Sequence, residues 1–155
     1  MATLPSRDTA SLPGTPFILQ VTVTSSAIPN NTQTNGALTA AANGAIVIED
    51  IILETDSTGV AGPTNLEFTT NNVKGLTGAA APNVLQAVSG LGANKTVVCK
   101  TSSTTKILPF TIEDGKKLFL DGDDGAGTGA GTVRITLLCR AVAPGNSLSA
   151  GGIGT

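Results

Sequence analysis

The chain has 155 residues, which suits one domain with a substantial core. Aromatic residues are only 3%, with no Trp, Tyr or His, so the core must be aliphatic and no imidazole can serve as a base or metal ligand. Charged residues are 13%, about half the usual ~25%, and the formal net charge is −2. We therefore expect no nucleic-acid and no membrane partner, and a protein that works within an assembly.

From the sequence we expect neither a membrane span nor a secretory signal. No apolar run reaches about 18 residues, and the first residues lack a basic region followed by an apolar stretch. We expect synthesis in a reducing cytoplasm, where Cys99 and Cys139 need not pair. Buried free thiols are favoured, and a disulfide between neighbouring strands stays open as an alternative.

An extended arm is predicted over residues 1–16. The segment is polar and contains three prolines, which remove backbone donors and disfavour both a helix and a sheet interior. Such a segment is either disordered or held by a neighbouring subunit, and we favour the second. The candidate interaction residues are the apolar and proline positions Leu4, Pro5, Leu12, Pro13 and Pro16.

Residues 44–54, GAIVIEDIILE, form the longest β-branched apolar run and predict the central strand. Its apolar positions do not alternate cleanly. The strand is therefore either covered on both faces or carries a bulge at Glu49-Asp50 that exchanges its faces. A long polar loop over 25–43, with a weak helical turn at 37–42, is predicted before it.

Other segments alternate with a period of two, which is typical of strands. The predicted strands are 17–24, 65–70, 95–100, 104–112, 118–120 and 132–142. One short helix is predicted over 82–91, because Pro82 suits a first helical turn and the spacing of Leu85, Val88 and Leu91 places them on one helix face. Asp114-Gly115 between apolar runs predicts a hairpin, and 121–131 predicts a flexible loop.

These elements predict an all-β fold. We expect an antiparallel β-sandwich of seven or eight strands with jelly-roll-like connectivity and the one short helix. The sandwich domain is predicted over residues 17–143, between the arm and a Gly- and Ser-rich tail over 144–155.

Two clusters of acidic residues are candidate sites of chemistry. Asp121, Asp123 and Asp124 could hold calcium, but their spacing does not match an EF-hand loop, and a solvated turn is favoured. Glu49, Asp50 and Glu54 lie on the central strand and are interpreted as outward charges. Without a histidine or a nucleophile motif, we expect no enzyme activity, no catalytic or metal site and no cofactor.

Three segments carry a resemblance to a known class of protein. They are 44–68 (GAIVIEDIILETDSTGVAGPTNLEF), 91–99 (LGANKTVVC) and 111–140 (TIEDGKKLFLDGDDGAGTGAGTVRITLLCR). The sequence resembles the small β-sandwich decoration, or cement, proteins of tailed-bacteriophage capsids. The resemblance lies in the residue composition, the order of the strands and the sequences of the turns, and it covers about two-thirds of the chain.

The resemblance implies a virion structural protein on the capsid surface. It implies a homo-oligomer, a trimer by analogy, that bridges neighbouring copies of the major capsid protein, with no catalytic residues. Two alternatives stay open. One is another virion component, such as a tail, neck or fibre module, and the other is a carbohydrate-binding β-sandwich, which the lack of Trp and Tyr disfavours.

Overall fold

A computed structural model describes residues 14–30, 38–70 and 82–151. In this part of the chain, two antiparallel sheets pack face to face around one core. The predicted all-β antiparallel sandwich is therefore confirmed. The jelly-roll connectivity stays a prediction.

The first sheet has the strand order β1-β10-β3-β6, with β8 pairing to β3 beside β6. Its strands are β1 (Pro16–Thr24), β3 (Ile46–Thr55), β6 (Thr96–Val98), β8 (Phe110–Ile112) and β10 (Thr132–Ala141). The second sheet has the order β11-β2-β9-β4-β5-β7. Its strands are β2 (Leu38–Asn43), β4 (Asn65–Thr70), β5 (Val84–Ala87), β7 (Thr105–Lys106), β9 (Lys117–Asp123) and β11 (Ser147–Gly151). The described helices are α1 (Cys99–Ser102) and 3-10 turns at Ser25–Ala27 and Val88–Gly90.

The core is almost wholly aliphatic, as the composition requires. The first sheet contributes four alternate residues of β10, all of them buried: Val133, Ile135, Leu137 and Cys139. The second sheet contributes two fully buried pairs, Leu66 with Phe68 and Leu118 with Leu120. Burial of these side chains between the sheets is the main term that favours folding.

The central strand β3 carries a bulge at Glu49. Ile48 pairs with Cys139 and Asp50 pairs with Leu138, so Glu49 has no opposite residue. The extra residue exchanges the faces of the strand. Before it the even-numbered residues point inward, and after it the odd-numbered ones do, beginning with Ile51. Of the two alternatives left by the sequence, the bulge is confirmed.

The helix predicted over 82–91 is wrong. Residues Val84–Ala87 form β5 and only Val88–Gly90 make a 3-10 turn. Val84 and Gln86 are buried while Leu85 and Ala87 are partly exposed, which is the period of a strand. β5 lies between β4 and β7. Its backbone N–H and C=O groups form hydrogen bonds with these two strands, whereas in a helix they would bond within the segment itself.

The predicted hairpin at Asp114-Gly115 is also wrong, although the turn exists. Gly115 has a φ of 71°, and the Lys116 amide donates to the Glu113 carbonyl at 3.0 Å. The strands on either side enter different sheets, because β8 pairs with β3 whereas β9 pairs with β2 and β4. The turn thus connects the two sheets at an edge of the sandwich. The residues of a turn do not determine whether the strands on its two sides pair with each other or enter different sheets.

Several shorter predictions need revision. The described residues form eleven strands, more than predicted, because 104–112 contains two strands, 38–43 is a strand, and β11 lies within the predicted tail. The second half of 95–100 begins α1. β9 extends three residues into the predicted loop at 121–131, because Asp121, Gly122 and Asp123 pair with β4. Among the described helices, none is long and apolar enough to span a membrane.

The bulge predicts which residues of β3 contribute most to the free energy of unfolding. Ile48→Ala and Ile51→Ala, which have opposite parity, should each lower the free energy of unfolding by about 2–5 kcal/mol, since both side chains are fully buried. Val47→Ala and Ile52→Ala, on the outward face, should cost about 1 kcal/mol or less. Urea denaturation measures all four. Equal costs at Ile51 and Ile52 would contradict the exchange of faces.

Candidate functional site

The predicted arm meets the sandwich at the start of β1. Of the candidate interaction residues, Leu4, Pro5, Leu12 and Pro13 lie outside the described residues, and Pro16 is the first, exposed residue of β1. Just before it, the Gly14 amide donates to the Ala141 carbonyl at 2.9 Å. The chain is therefore hydrogen-bonded to the end of β10 at the junction between the predicted arm and β1.

An apolar groove of about 450 Å³ lies next to this junction. Its lining residues are Pro16, Phe17, Ile18, Glu49, Leu138 and Cys139. Ile18 and Leu138 stand opposite each other on the outward face of β1 and β10, and Ile18 is 53% exposed. Such an exposed isoleucine at the mouth of an apolar groove is a candidate contact for another protein.

Two ion pairs bracket the outward face of the first sheet. Glu49, the bulged residue, pairs with Arg140, and Glu54 pairs with Arg134 at 2.6 Å between Oε2 and Nη2. These side chains are about one-third to one-half exposed, so each pair contributes about 1 kcal/mol or less. Their effect is to neutralise the arginines of β10 within the sheet itself.

The acidic residues of β3 are occupied by structural contacts. Asp50 accepts hydrogen bonds from the backbone amides of Ile51 and Lys100 at 2.8 and 3.0 Å. Glu49 and Glu54 are held by arginines. The interpretation of these three carboxylates as outward structural charges fits their contacts.

A second, polar groove of about 400 Å³ lies at the far end of the same face. It contains Asp56, which accepts hydrogen bonds from the amides of Thr58, Gly59 and Thr132 at 2.8–2.9 Å. The bonds from Gly59 and Thr58 hold the pKa of Asp56 below its ordinary value. Asp56 therefore ties the turn after β3 to β10 and leaves little capacity for proton transfer.

The acidic residues at the end of β9 do not form one cluster. Asp123 accepts a hydrogen bond from the Asn65 side chain at 3.0 Å, whereas Asp124 is exposed at the start of the loop. Asp121 is 1% exposed and neither of its carboxylate oxygens has a hydrogen-bond partner. Among the described residues, no three acidic or cysteine side chains lie close enough to hold a metal ion.

Burial of Asp121 raises its pKa to about 6. Its cross-strand neighbour is Glu67, whose pKa is raised by burial and then by repulsion from Asp123, Asp121 and Asp124. A carboxyl that is protonated more readily in the folded state stabilises the fold at low pH. Its stabilising effect is complete below the ordinary pKa of about 4 and is lost as the pH rises through 6.

Both cysteines are buried and free, as favoured by the sequence. Burial raises the pKa of Cys99 to about 11 and that of Cys139 to about 12. Each thiol is therefore protonated at neutral pH, which removes its nucleophilic form. They act as small apolar side chains in the core.

Of the residues that line the apolar groove, Pro16 is a candidate interaction residue predicted from the sequence, whereas Ile18 and Leu138 are not. A signal existed, because Ile18 and Leu138 occupy outward positions of alternating strands where Gln, Thr and Arg otherwise stand. Their proximity depends on the register between β1 and β10, which joins residues that are distant in the chain.

Comparisons with protein families, curated proteins and solved structures find no match.

The buried carboxylate leads to a pH-dependent prediction. A pKa of about 6 against 3.8 corresponds to about 3 kcal/mol of destabilisation at pH 7.5. Asp121→Asn removes the charge and should raise the free energy of unfolding at pH 7.5 by about 1–3 kcal/mol, with little change at pH 4. Urea denaturation across pH 4–8 measures the difference.

Asp124→Asn is the matched control. It removes the same charge from an exposed site whose φ of 58° asparagine tolerates well. We expect a much smaller effect at both pH values. A gain from Asp121→Asn that was equal at pH 4 and pH 7.5 would contradict an ionised, buried carboxylate as the cause.

Proposed function

We propose that this protein is a structural component of a bacteriophage virion that decorates the capsid and stabilises it by bridging neighbouring capsid subunits. The support from sequence is the resemblance of 44–68, 91–99 and 111–140 to capsid decoration proteins. The support from structure is a surface suited to binding another protein. In this role the protein binds other chains and carries out no chemistry.

The observation that carries the proposal is the position of the apolar groove. It lies beside Pro16, where the arm joins the sandwich, and the 53% exposed Ile18 stands at its mouth. An arm and a groove that start at one point can contact two neighbouring subunits with a continuous surface. Thirteen residues precede Gly14, and a fully extended segment of this length reaches about 45 Å.

Stabilisation would follow from mass action. A ligand that binds only the assembled shell lowers the free energy of that state by RT ln(1 + [L]/Kd) per site, about 2.7 kcal/mol when its concentration is a hundred times Kd. Many equivalent sites on one shell multiply this term. The near-neutral charge of the chain suits close packing of many copies, since it limits repulsion between them.

The test uses phage heads that lack this protein. Added wild-type protein should bind the heads, raise the temperature at which they release DNA, and be located on the head by antibody labelling. Ile18→Asp places a charge at the groove and should weaken binding at least about tenfold. Ile107→Asp is the control, since Ile107 is similarly exposed at 56% but follows β7 in the other sheet.

Two results would refute the capsid role. One is labelling confined to the tail, which would favour a tail or neck component. The other is no binding of the wild-type protein to heads under any condition that preserves its fold. Equal binding by the Ile18 and Ile107 variants would show that the groove is not the contact surface.

A further inference from the structure

β1 is the longest open edge among the described strands. It has nine residues and pairs with β10 on one side only. None of the described residues forms backbone hydrogen bonds with its other side. The other edge strands are short: β6 and β8 have three residues each, β7 has two and β11 has five.

β1 also lacks the features that usually prevent an edge from pairing. Its sequence, PFILQVTVT, contains no charged residue, and its register with β10 is uninterrupted from Pro16 to Thr24. Its one proline is the first residue. Natural sheets commonly protect long edges with lysine, internal proline or a bulge. An edge without any of these is suited to accept another strand.

The middle of β1 is less buried than its ends, although β11 of the second sheet packs against this strand. Phe17 and Val23, near the ends, are buried, whereas Leu19 and Val21 pack against the core but are only partly buried. All four have the inward parity. A strand added along this edge would cover Leu19 and Val21 with its own inward side chains.

The edge is complementary to itself. When two copies of β1 are aligned antiparallel with full overlap, Gln20 of one copy lies opposite Gln20 of the other. On the inward face, Phe17 then meets Val23 and Leu19 meets Val21, so apolar side chains face apolar ones. No charge opposes a like charge within the strand pair.

The charges nearest to the edge are also compatible with this pairing. Arg134 and Arg140 of β10 lie one strand away from the junction and are already neutralised by Glu54 and Glu49. The charges of the described residues near β1 therefore place no repulsive pair where two copies meet edge to edge.

We propose that two copies of this chain associate by antiparallel pairing of their β1 strands across a two-fold axis, which joins their first sheets into one continuous sheet. Such an interface is isologous and closes at two copies. The trimer implied by the resemblance would need a different surface. The proposal does not depend on the capsid role, because it is measured on the purified protein alone.

Charge substitutions at Gln20 test the pairing. The full chain should sediment at about twice its 15.4 kDa mass at micromolar to millimolar concentration. Gln20→Lys places two ammonium groups opposite each other and should weaken the dimer roughly fivefold. Gln20→Glu should do the same. An equimolar mixture of the two variants should form a heterodimer tighter than either homodimer.

The controls separate charge from other effects. The Gln20 amide donates to Thr136 at 3.0 Å, so Gln20→Met tests the loss of this bond without a charge, and it should leave the dimer intact. Thr96→Lys adds a charge to an exposed site on β6 at the opposite edge and should also have no effect. Urea denaturation confirms that each variant is folded.

Hydrogen exchange gives a second measurement. Amides of β1 should become more protected as the protein concentration rises through the dissociation constant, while those of β6 should not change. A wild-type chain that stays monomeric at millimolar concentration would overturn the proposal. So would a dimer that is unaffected by both charged variants, or one that is lost on deletion of residues 1–13 but not with Gln20→Lys.

Discussion

The pairing of β3 with β10 through the bulge at Glu49 is the constraint on which the rest of the sandwich depends. The bulge exchanges the faces of β3, so large aliphatic side chains before and after it enter one core, while Val47 and Ile52 face outward. It brings Ile48 and Ile51 into the same core and turns Glu49 outward to Arg140. β1, β6 and β8 then pair around this central pair, so their positions follow from it.

A core made of Val, Ile and Leu explains both the stability of the interior and the character of the surface. Small aliphatic side chains fill the space between two sheets without the polar atoms of Trp or Tyr, which need buried partners. The outward face of the first sheet nevertheless retains Ile18 and Leu138, and the β1 edge leaves Leu19 and Val21 partly open. Part of the exposed apolar surface therefore lies where a second chain could cover it.

Polar side chains in this structure mainly secure the backbone. Asp56 holds the turn after β3 against β10, and Asp50 caps amides of its own strand and of α1. Their hydrogen-bonding capacity is taken up by these contacts. Asp121 is the exception among the described carboxylates, because it is buried in β9 without a partner. Its cross-strand partner is Glu67 of β4.

The sequence by itself determined the sandwich class and the strands β1, β3 and β10, because β-branched residues with a period of two express a local preference, and it left the bulge in β3 as one of two alternatives. Only the tertiary structure decided that 84–87 is a strand, that β9 continues through Asp121, and that the turn at Gly115 joins two sheets. Each of these depends on hydrogen bonds to strands distant in the chain. The groove of Ile18 and Leu138 likewise arises from register, a long-range property that no single segment contains.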